Sequence, residues 1–340
     1  MILFRVDGNG KIGTGHVMRC LSIARALRTL REESRFLIAG HEMQGIIEEQ
    51  GFQVSIVHTE YTQMDTELEQ IPLYLEGVNL LLIDSYYITK QYLECVEKKA
   101  KVVYLDDLVH LPAPVDYLIN YNCYANKKRY ADTYTARIHT LFGMDYAPLR
   151  EEFQSVDYQV RDVCSKILIT TGGTDQCNLA VQLLERFVLC QGLDHVEFIV
   201  VVGAFHEHKE SLERLAAQYK QISLHHQVKN MSQLMAECDI AISATGSTIY
   251  ELCAVGLPTI ALAFVENQDE IASVMGEQHR VLLAGHYHYE GVPVIERTVE
   301  YVLHLCTHVE ERRRLHHCAR SAVDGQGATR IAQALIQWAR

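Results

Sequence analysis

The sequence predicts an α/β protein built from two Rossmann-like βα domains, and three observations lead to this fold class. Short apolar strands alternate with amphipathic helical stretches along the 340 residues, as in a parallel sheet covered by helices. The alternation runs in two series of similar length, separated by the least patterned polar stretch, residues 154–162. A glycine-containing turn follows the opening strand of each series.

The two series set the predicted domain boundaries. We expect an N-terminal domain over residues 1–153, a C-terminal domain over residues 163–327, and a final helix over residues 328–340 that docks onto the body. Apolar runs predict first-domain strands at residues 2–7, 35–39, 53–57, 80–84, 102–105 and 117–120. They predict second-domain strands at residues 166–171, 196–202, 222–225, 240–243, 259–262 and 281–283.

Composition limits the classes of function. A hydrophobic content of 48% with 22% charged residues is ordinary for a globular protein. The sequence contains no run of eighteen apolar residues and no apolar leader, so we expect a cytoplasmic protein without stable membrane association. Ten cysteines without a C-x-x-C pair are expected to be reduced. A net charge of −12 disfavours nucleic acid, and an anionic substrate would need local cations or helix ends.

The first strand leads into a glycine-rich loop and then into an amphipathic helix that begins near His16. Gly13 and Gly15 let the backbone approach a ligand, and the positive end of a helix favours phosphate. Arg5 and Arg19 are candidate local cations. The alternative is that the glycines only turn the chain. The dinucleotide motif G-x-G-x-x-G and the nucleoside-triphosphate motif G-x-x-x-x-G-K-[ST] are both absent, so nicotinamide cofactors and an ATPase are disfavoured.

The second domain carries its own candidate phosphate loop, formed by Gly172, Gly173 and Thr174 after the strand at residues 166–171. Further on, Ser247 and Thr248 precede a carboxylate that can accept hydrogen bonds from a ribose diol, that of Glu251. The alternative for Glu251 is a solvated helix residue.

Several motifs in one order and spacing resemble a known family. They are Arg5-x-Asp7, Ile12-Gly13-x-Gly15-His16-x-x-Arg19, Ile83-Asp84-x-Tyr86, Asp106-Asp107, Asn120-x-Asn122-x-Tyr124, Gly143-x-x-Tyr146, Gly172-Gly173-Thr174-Asp175 and Asn267-Gln268. The pattern resembles the UDP-2,4-diacetamido-2,4,6-trideoxy-β-L-altropyranose hydrolase family of pseudaminic acid biosynthesis, over residues 1–275. Spore-coat polysaccharide proteins share the opening motif. The resemblance implies a GT-B fold with an interdomain cleft, similar to the lipid II N-acetylglucosaminyltransferase, and a nucleotide held mainly by the C-terminal domain.

The resemblance also implies a reaction, the inverting hydrolysis of a UDP-sugar without cofactor or metal. We predict His16 as the general base, because a helix N-terminus favours the neutral imidazole that a base requires. Tyr86 and Asp7 follow neighbouring strands and are predicted to join it, although Asp7 can equally serve only to hold the loop amides. The predicted substrate-binding residues are Arg5, Gly13, Gly15, Arg19, Gly172, Gly173, Thr174, Ser247, Thr248, Glu251, Asn267 and Gln268, the last two by resemblance. Asp106 and Asp107 are read as strand-end turn residues.

Other functions stay open at this point. A glycosyltransferase of the same fold would pass the sugar to an alcohol, and a noncatalytic binding protein would use His16 only for packing. The acidic, polar segment at residues 60–76 favours water over a membrane-bound acceptor. His304 and His308 lack the H-E-x-x-H pattern, so no metal site is predicted. We expect a UDP-sugar as the only partner, and a monomer or weak homodimer.

Overall fold

The computed structural model describes residues 1–108, 115–130, 138–203 and 205–340. The strands within these ranges are β1 (Ile2–Val6), β2 (Ser34–Ile38), β3 (Gln53–Ile56), β4 (Leu80–Asp84), β5 (Lys101–Leu105), β6 (Tyr117–Asn120), β7 (His139–Phe142), β8 (Lys166–Thr170), β9 (Glu197–Val202), β10 (Ile222–His226), β11 (Ile240–Ala244), β12 (Thr259–Ala263) and β13 (Leu282–His286).

The α-helices of the same ranges vary from single turns to sixteen residues. They are α1 (Gly15–Thr29), α2 (Gln44–Glu49), α3 (Ile71–Tyr74), α4 (Lys90–Val96), α5 (Lys127–Tyr130), α6 (Leu179–Phe187), α7 (Lys209–Gln218), α8 (Met231–Ala236), α9 (Thr248–Val255), α10 (Asp269–Glu277), α11 (Tyr287–Glu290), α12 (Val292–Thr307), α13 (Val309–Arg320) and α14 (Gly327–Ala339). None of the helices in the described ranges is both long enough and apolar enough to cross a membrane.

The chain divides into two compact units, each with its own parallel sheet. The first unit comprises Met1–Arg150 with Gln326–Arg340, and its strand order is β3-β2-β1-β4-β5-β6-β7. The second comprises Glu151–Gly325, with the order β10-β9-β8-β11-β12-β13. The predicted fold class of two parallel-sheet α/β domains is confirmed.

In each sheet the chain first adds strands on one side of its opening strand and then adds the remaining strands on the other side. In the first unit β1 lies between β2 and β4, and in the second β8 lies between β9 and β11. The connections that leave such a pair of neighbouring strands run to opposite sides, which opens a crevice at the carboxyl ends of the strands. Ligands of open α/β sheets bind in this crevice, so a binding site is expected at the loops after β1, β4, β8 and β11.

Buried apolar side chains form a core cluster in each unit. The central strands β1, β4, β11 and β12 are buried along their whole length, and this is why they appear in the sequence as continuous apolar runs. β7 was not predicted, because only two of its four residues are apolar and none of them is fully buried at the edge of the sheet.

Specific contacts hold the last helix of the first unit and the first residues of the second. α14 packs on α1, and its Trp338 stacks on Tyr117 with ring centroids 4.1 Å apart. The second unit begins at Glu151, and its first residues contact α8, where the Glu152 carboxylate accepts a hydrogen bond from the Met231 amide.

Candidate active site

One face of α1 is directed at a single carboxylate. His16, Arg19 and Cys20 occupy positions i, i+3 and i+4, which lie together on a helix surface. All of them contact Asp84, the last residue of β4, at 2.6 Å from His16 Nδ1, 2.6 Å from Arg19 Nε and 3.6 Å from Cys20 Sγ. β4 pairs with β1, so this cluster lies at the switch point of the first sheet.

The contact with Asp84 fixes the tautomer of His16. A separation of 2.6 Å between Nδ1 and Oδ1 of Asp84 requires a proton between the two atoms, so Nδ1 carries the hydrogen in the neutral ring. The lone pair is then on Nε2, which has no hydrogen-bond partner among the described residues. His16 is 8% exposed at the start of α1, so its ring is largely buried and held in one orientation.

Asp84 remains a carboxylate over the whole physiological range. Burial by itself raises the pKa of this group, but the Arg19 guanidinium and His16 outweigh it and hold the pKa well below the ordinary 3.8. Because the folded-state pKa is depressed, the stability that this group contributes is present above about pH 4 and is lost as the pH falls below it.

We therefore expect Asp84→Asn to flatten the acid limb of the stability curve. Between about pH 4 and pH 2, the free energy of unfolding of the variant should change less steeply, by up to about 1.4 kcal/mol per pH unit, because one fewer proton is taken up on unfolding. Urea unfolding at a series of pH values measures this slope. The exposed Asp157 supplies the control variant Asp157→Asn. Equal slopes for the two variants would contradict the assignment.

Arg19 links Asp84 to a second carboxylate. Its Nη1 donates to Asp107 Oδ2 and to the Tyr121 hydroxyl, each at 2.8 Å. Arg19, predicted to bind substrate, has a guanidinium that is engaged by side chains of the protein and is 10% exposed. Asp107, expected from the sequence to be a turn residue, also takes part in this network. It accepts a further hydrogen bond from Asn122 Nδ2 at 3.2 Å.

Tyr86 packs against the imidazole of His16. The two rings meet edge to face with centroids 4.7 Å apart, and the Tyr86 hydroxyl donates to Asp107 Oδ2 at 3.3 Å. Burial, with the charge of Asp107, raises the pKa of Tyr86 far above its ordinary value. The phenol therefore stays protonated and can act as a hydrogen-bond donor, but not as a base.

Arg5, predicted to bind substrate, is buried and pairs with carboxylates of the protein. It is 0% exposed in the middle of the first sheet, where it pairs with Asp7 and Glu67. The second oxygen of Asp7 accepts from the amide of Ala39 at 2.7 Å, so both carboxylate oxygens of Asp7 are engaged by the protein. Of the two roles considered for Asp7, this geometry supports the structural one.

The Glu67 carboxylate should matter for stability. Besides Arg5, it accepts from the Tyr92 hydroxyl and from Thr59 Oγ1, each at 3.0 Å. Glu67→Gln leaves the buried guanidinium undercompensated, so we expect the free energy of unfolding to fall by about 3 kcal/mol. The exposed neighbour Glu69 provides a control, Glu69→Gln, with an expected change near zero. Denaturant unfolding that fails to separate the two variants would contradict this account.

The loop between β1 and α1 is held by its own side chain. Asn9 Oδ1 accepts from the amides of Lys11 and Ile12 at 2.8 and 3.0 Å, which occupies two amides that the sequence offered to a ligand. Gly13 has a φ of +74°, a conformation that favours glycine. The N-terminus of α1 has no side-chain cap, since Thr14 makes no such bond, so its first amides stay available beside Gly15 and His16.

A cavity of about 600 Å³ lies on the other side of this loop, at the carboxyl ends of β1 and β2. It is lined by the loop from Asp7 to Lys11, by residues 38–43, and by Thr59, Glu60 and Tyr61. Volumes between about 300 and 1,000 Å³ are typical of sites for small molecules. The first unit thus has room for a small polar ligand next to the His16 loop.

The second unit places two exposed loops at its own switch point. After β8, Gly172 turns the chain at φ +89°, and Gly172 and Gly173 are both exposed. Asp175 accepts from the amides of Leu179 and Ala180, so the N-terminus of α6 is already capped. Any anion at this loop must therefore be bound by residues 172–174 themselves.

The loop after β11 leads into α9, whose N-terminus is open. Ser247 is exposed in the capping position without making a side-chain cap, and Thr248 and Glu251 lie in the first turn of the helix. Asn267 is exposed in the short turn before α10, whereas Gln268 Oε1 accepts from the Phe264 amide at 3.1 Å. The structure thus brings Ser247 and Thr248 to the same switch point as Gly172–Thr174.

The histidine pair considered for metal binding is stacked. The rings of His304 and His308 lie 4.0 Å apart, and His308 Nδ1 is 2.8 Å from the carbonyl oxygen of His304. Within the ranges that the structure describes, no group of three or more His, Cys, Asp or Glu side chains is arranged to hold a metal ion.

The chain is similar to several known proteins. Residues 167–303 match the family "Glycosyltransferase family 28 C-terminal domain". The chain is 27% identical to the spore coat polysaccharide biosynthesis protein SpsG of Bacillus subtilis, over 97% of this chain and 96% of that protein. It is 26% identical to the UDP-2,4-diacetamido-2,4,6-trideoxy-beta-L-altropyranose hydrolase of Campylobacter jejuni, over 82% of this chain and 96% of that protein.

Solved structures identify the fold. The MurG structure from Acinetobacter baumannii aligns with a TM-score of 0.69 at 12% identity, over 99% of each chain. The chain therefore has the GT-B fold, as the sequence predicted, with a C-terminal half that matches glycosyltransferase family 28.

Proposed function

We propose that this protein hydrolyses a UDP-linked 2,4-diacetamido-2,4,6-trideoxy sugar at its anomeric carbon and releases UDP and the free sugar. The observation that carries the proposal is the His16–Asp84 pair at the switch point of the first sheet. The similarity to the Campylobacter hydrolase supports the choice of substrate and of water as acceptor. On this proposal the enzyme contributes to pseudaminic acid biosynthesis.

His16 acts as the general base. Water attacks the anomeric carbon while Nε2 of His16 takes its proton, and the electron pair of the breaking C–O bond leaves with the diphosphate of UDP. Asp84 holds the Nδ1 proton and stabilises the imidazolium that forms, since its own carboxyl stays ionised. Attack on the face opposite the departing UDP inverts the anomeric centre.

Tyr86 and Arg19 serve this base indirectly. The Tyr86 ring lies edge to face against the imidazole, and Arg19 clamps Asp84 between the helix and β4. Both side chains restrict the rotation of His16, which keeps its basic nitrogen in one direction. Precise orientation of a reacting group is itself a large source of rate enhancement.

The second unit binds the nucleotide in this proposal. Backbone groups of Gly172, Gly173 and Thr174 and the open N-terminus of α9 at Ser247 and Thr248 contact the diphosphate. Glu251 accepts hydrogen bonds from the ribose, and Asn267 and Gln268 contact the sugar or its phosphate. UDP carries its negative charge stably in water, so hydrogen-bond donors suffice and no strong general acid is required.

A chelator should leave turnover unchanged, because backbone donors rather than a cation stabilise the leaving group in this mechanism. Assays of UDP release before and after incubation with excess EDTA test this expectation. Inhibition that one added divalent metal reverses would overturn it.

A glycosyltransferase is the second candidate, favoured by the family 28 match of residues 167–303 and by the similarity to the spore coat polysaccharide protein. Incubation with a panel of UDP-linked 2,4-diacetamido sugars, followed by NMR, separates the two. A hydrolase releases free UDP and the free sugar without any added acceptor. A transferase releases UDP only when an alcohol acceptor is present, and a binding protein releases none.

A further inference from the structure

Two cysteines from distant parts of the sequence meet in the second unit. The Sγ atoms of Cys164 and Cys306 are 3.4 Å apart, although the residues are 142 positions apart in the sequence. Cys164 lies just before β8 and is 1% exposed, whereas Cys306 lies near the end of α12 and is half-buried. The two sulfur atoms are in non-bonded contact, and a disulfide requires them to approach further, to about 2.05 Å.

Buried polar side chains hold both segments in place around this pair. Arg312 donates from Nε to the carbonyl oxygen of Leu305, next to Cys306, and from its other nitrogens to Arg161 and Asp162. Asp239 Oδ2 accepts from the amide of Ser165, next to Cys164, at 2.8 Å. Hydrogen bonds from buried side chains therefore hold the backbone next to each of the two cysteines.

The two thiols differ in reactivity. The hydrogen bond with Cys164, together with the charge of Arg312, lowers the pKa of Cys306 against the effect of burial. The same hydrogen bond, together with burial, raises the pKa of Cys164. Cys306 is also the more exposed of the two, so it is the thiolate that an oxidant meets first.

We propose that Cys164 and Cys306 form a redox modification site that a hydroperoxide converts into a reversible disulfide. The Cys306 thiolate attacks one peroxide oxygen, the O–O bond breaks, and the other oxygen leaves and takes a proton as water or an alcohol. This gives a sulfenic acid at Cys306. Cys164 then attacks that sulfur, the S–O bond breaks, and hydroxide leaves with the Cys164 proton as water. The two cysteines lose two electrons and the peroxide gains them.

The site is separate from the proposed nucleotide loops. Cys164 precedes the first residue of β8, whereas Gly172–Thr174 follow its last, so the two lie at opposite ends of one strand. The disulfide closes a loop of more than a hundred residues, and long loops are where a crosslink restricts the unfolded chain most. Oxidation is therefore a way to stabilise the second unit under oxidative conditions.

The test uses the unmodified full chain, treated with a small excess of hydrogen peroxide, alkylated and digested without reductant. We expect a Cys164–Cys306 crosslinked peptide that has lost two hydrogen atoms and that dithiothreitol separates. The oxidised protein should unfold about 5 °C higher than the reduced one. Oxidation at other cysteines without this crosslink would overturn the proposal, and so would a crosslink distributed evenly among cysteine pairs.

Variants distinguish the roles of the two thiols. Cys306→Ser should abolish both the crosslink and the thermal shift, whereas Cys318→Ser, at a half-buried position on α13, should keep both. Cys164→Ala should leave a sulfenic acid at Cys306 that dimedone traps. Persistence of the thermal shift in Cys306→Ser would count against the proposal.

Discussion

Replacing His16 with leucine should lower kcat for UDP release by about 10³-fold while UDP binding and folding stay intact. The size follows from general-base catalysis, which contributes about 10²- to 10⁴-fold when a positioned side chain takes the proton. Binding should survive because the proposed nucleotide contacts are all in the second unit. The three readouts are chromatography of released UDP, calorimetric titration with UDP, and thermal unfolding.

His139 offers a matched control for this variant. It is exposed on the edge strand β7, in the same unit, and lies outside the cavity beside the His16 loop. His139→Leu should keep kcat within a few-fold of the parent. If His16→Leu retained full turnover while binding UDP normally, the imidazole would have no part in the reaction.

Asp84→Asn should lower kcat by an amount of the same order, about 10³-fold, without removing the base itself. The amide cannot stabilise an imidazolium, and it no longer selects the tautomer that leaves Nε2 free. Steady-state kinetics with a saturating UDP-sugar measures the loss.

A second carboxylate variant separates this role from a merely structural one. Asp107→Asn removes a carboxylate that contacts Arg19 but not His16, and should change kcat about 10-fold at most. Equal losses of kcat in both variants would contradict the assignment of Asp84.

The sequence was sufficient for the fold because burial is periodic and local. Strands such as Leu80–Asp84 are buried on both faces, so their apolar runs stand out without any knowledge of their partners. The position of His16 at the start of α1 was also predictable, since the glycines before it and the apolar stripe after it are adjacent in the chain.

The pairing of charged residues was not predictable in the same way. Arg5 looked available to a substrate, but its partner Glu67 is 62 positions away and comes from a turn outside the regular strands. Asp84 and Asp107 lie 65 and 88 positions from Arg19. The available signal was that parallel neighbours bring their carboxyl ends together, so an acid ending β4 must lie near the loop after β1.

The most direct test of the account follows the oxygen atom of water. We propose to incubate the protein with a UDP-linked 2,4-diacetamido-2,4,6-trideoxy sugar in ¹⁸O-labelled water, without acceptor, and to analyse the products immediately by mass spectrometry. Attack at the anomeric carbon predicts label in the free sugar and none in UDP, with a rate that falls in His16→Leu. Label in the phosphates of the nucleotide, or no product without an added alcohol, would contradict the account.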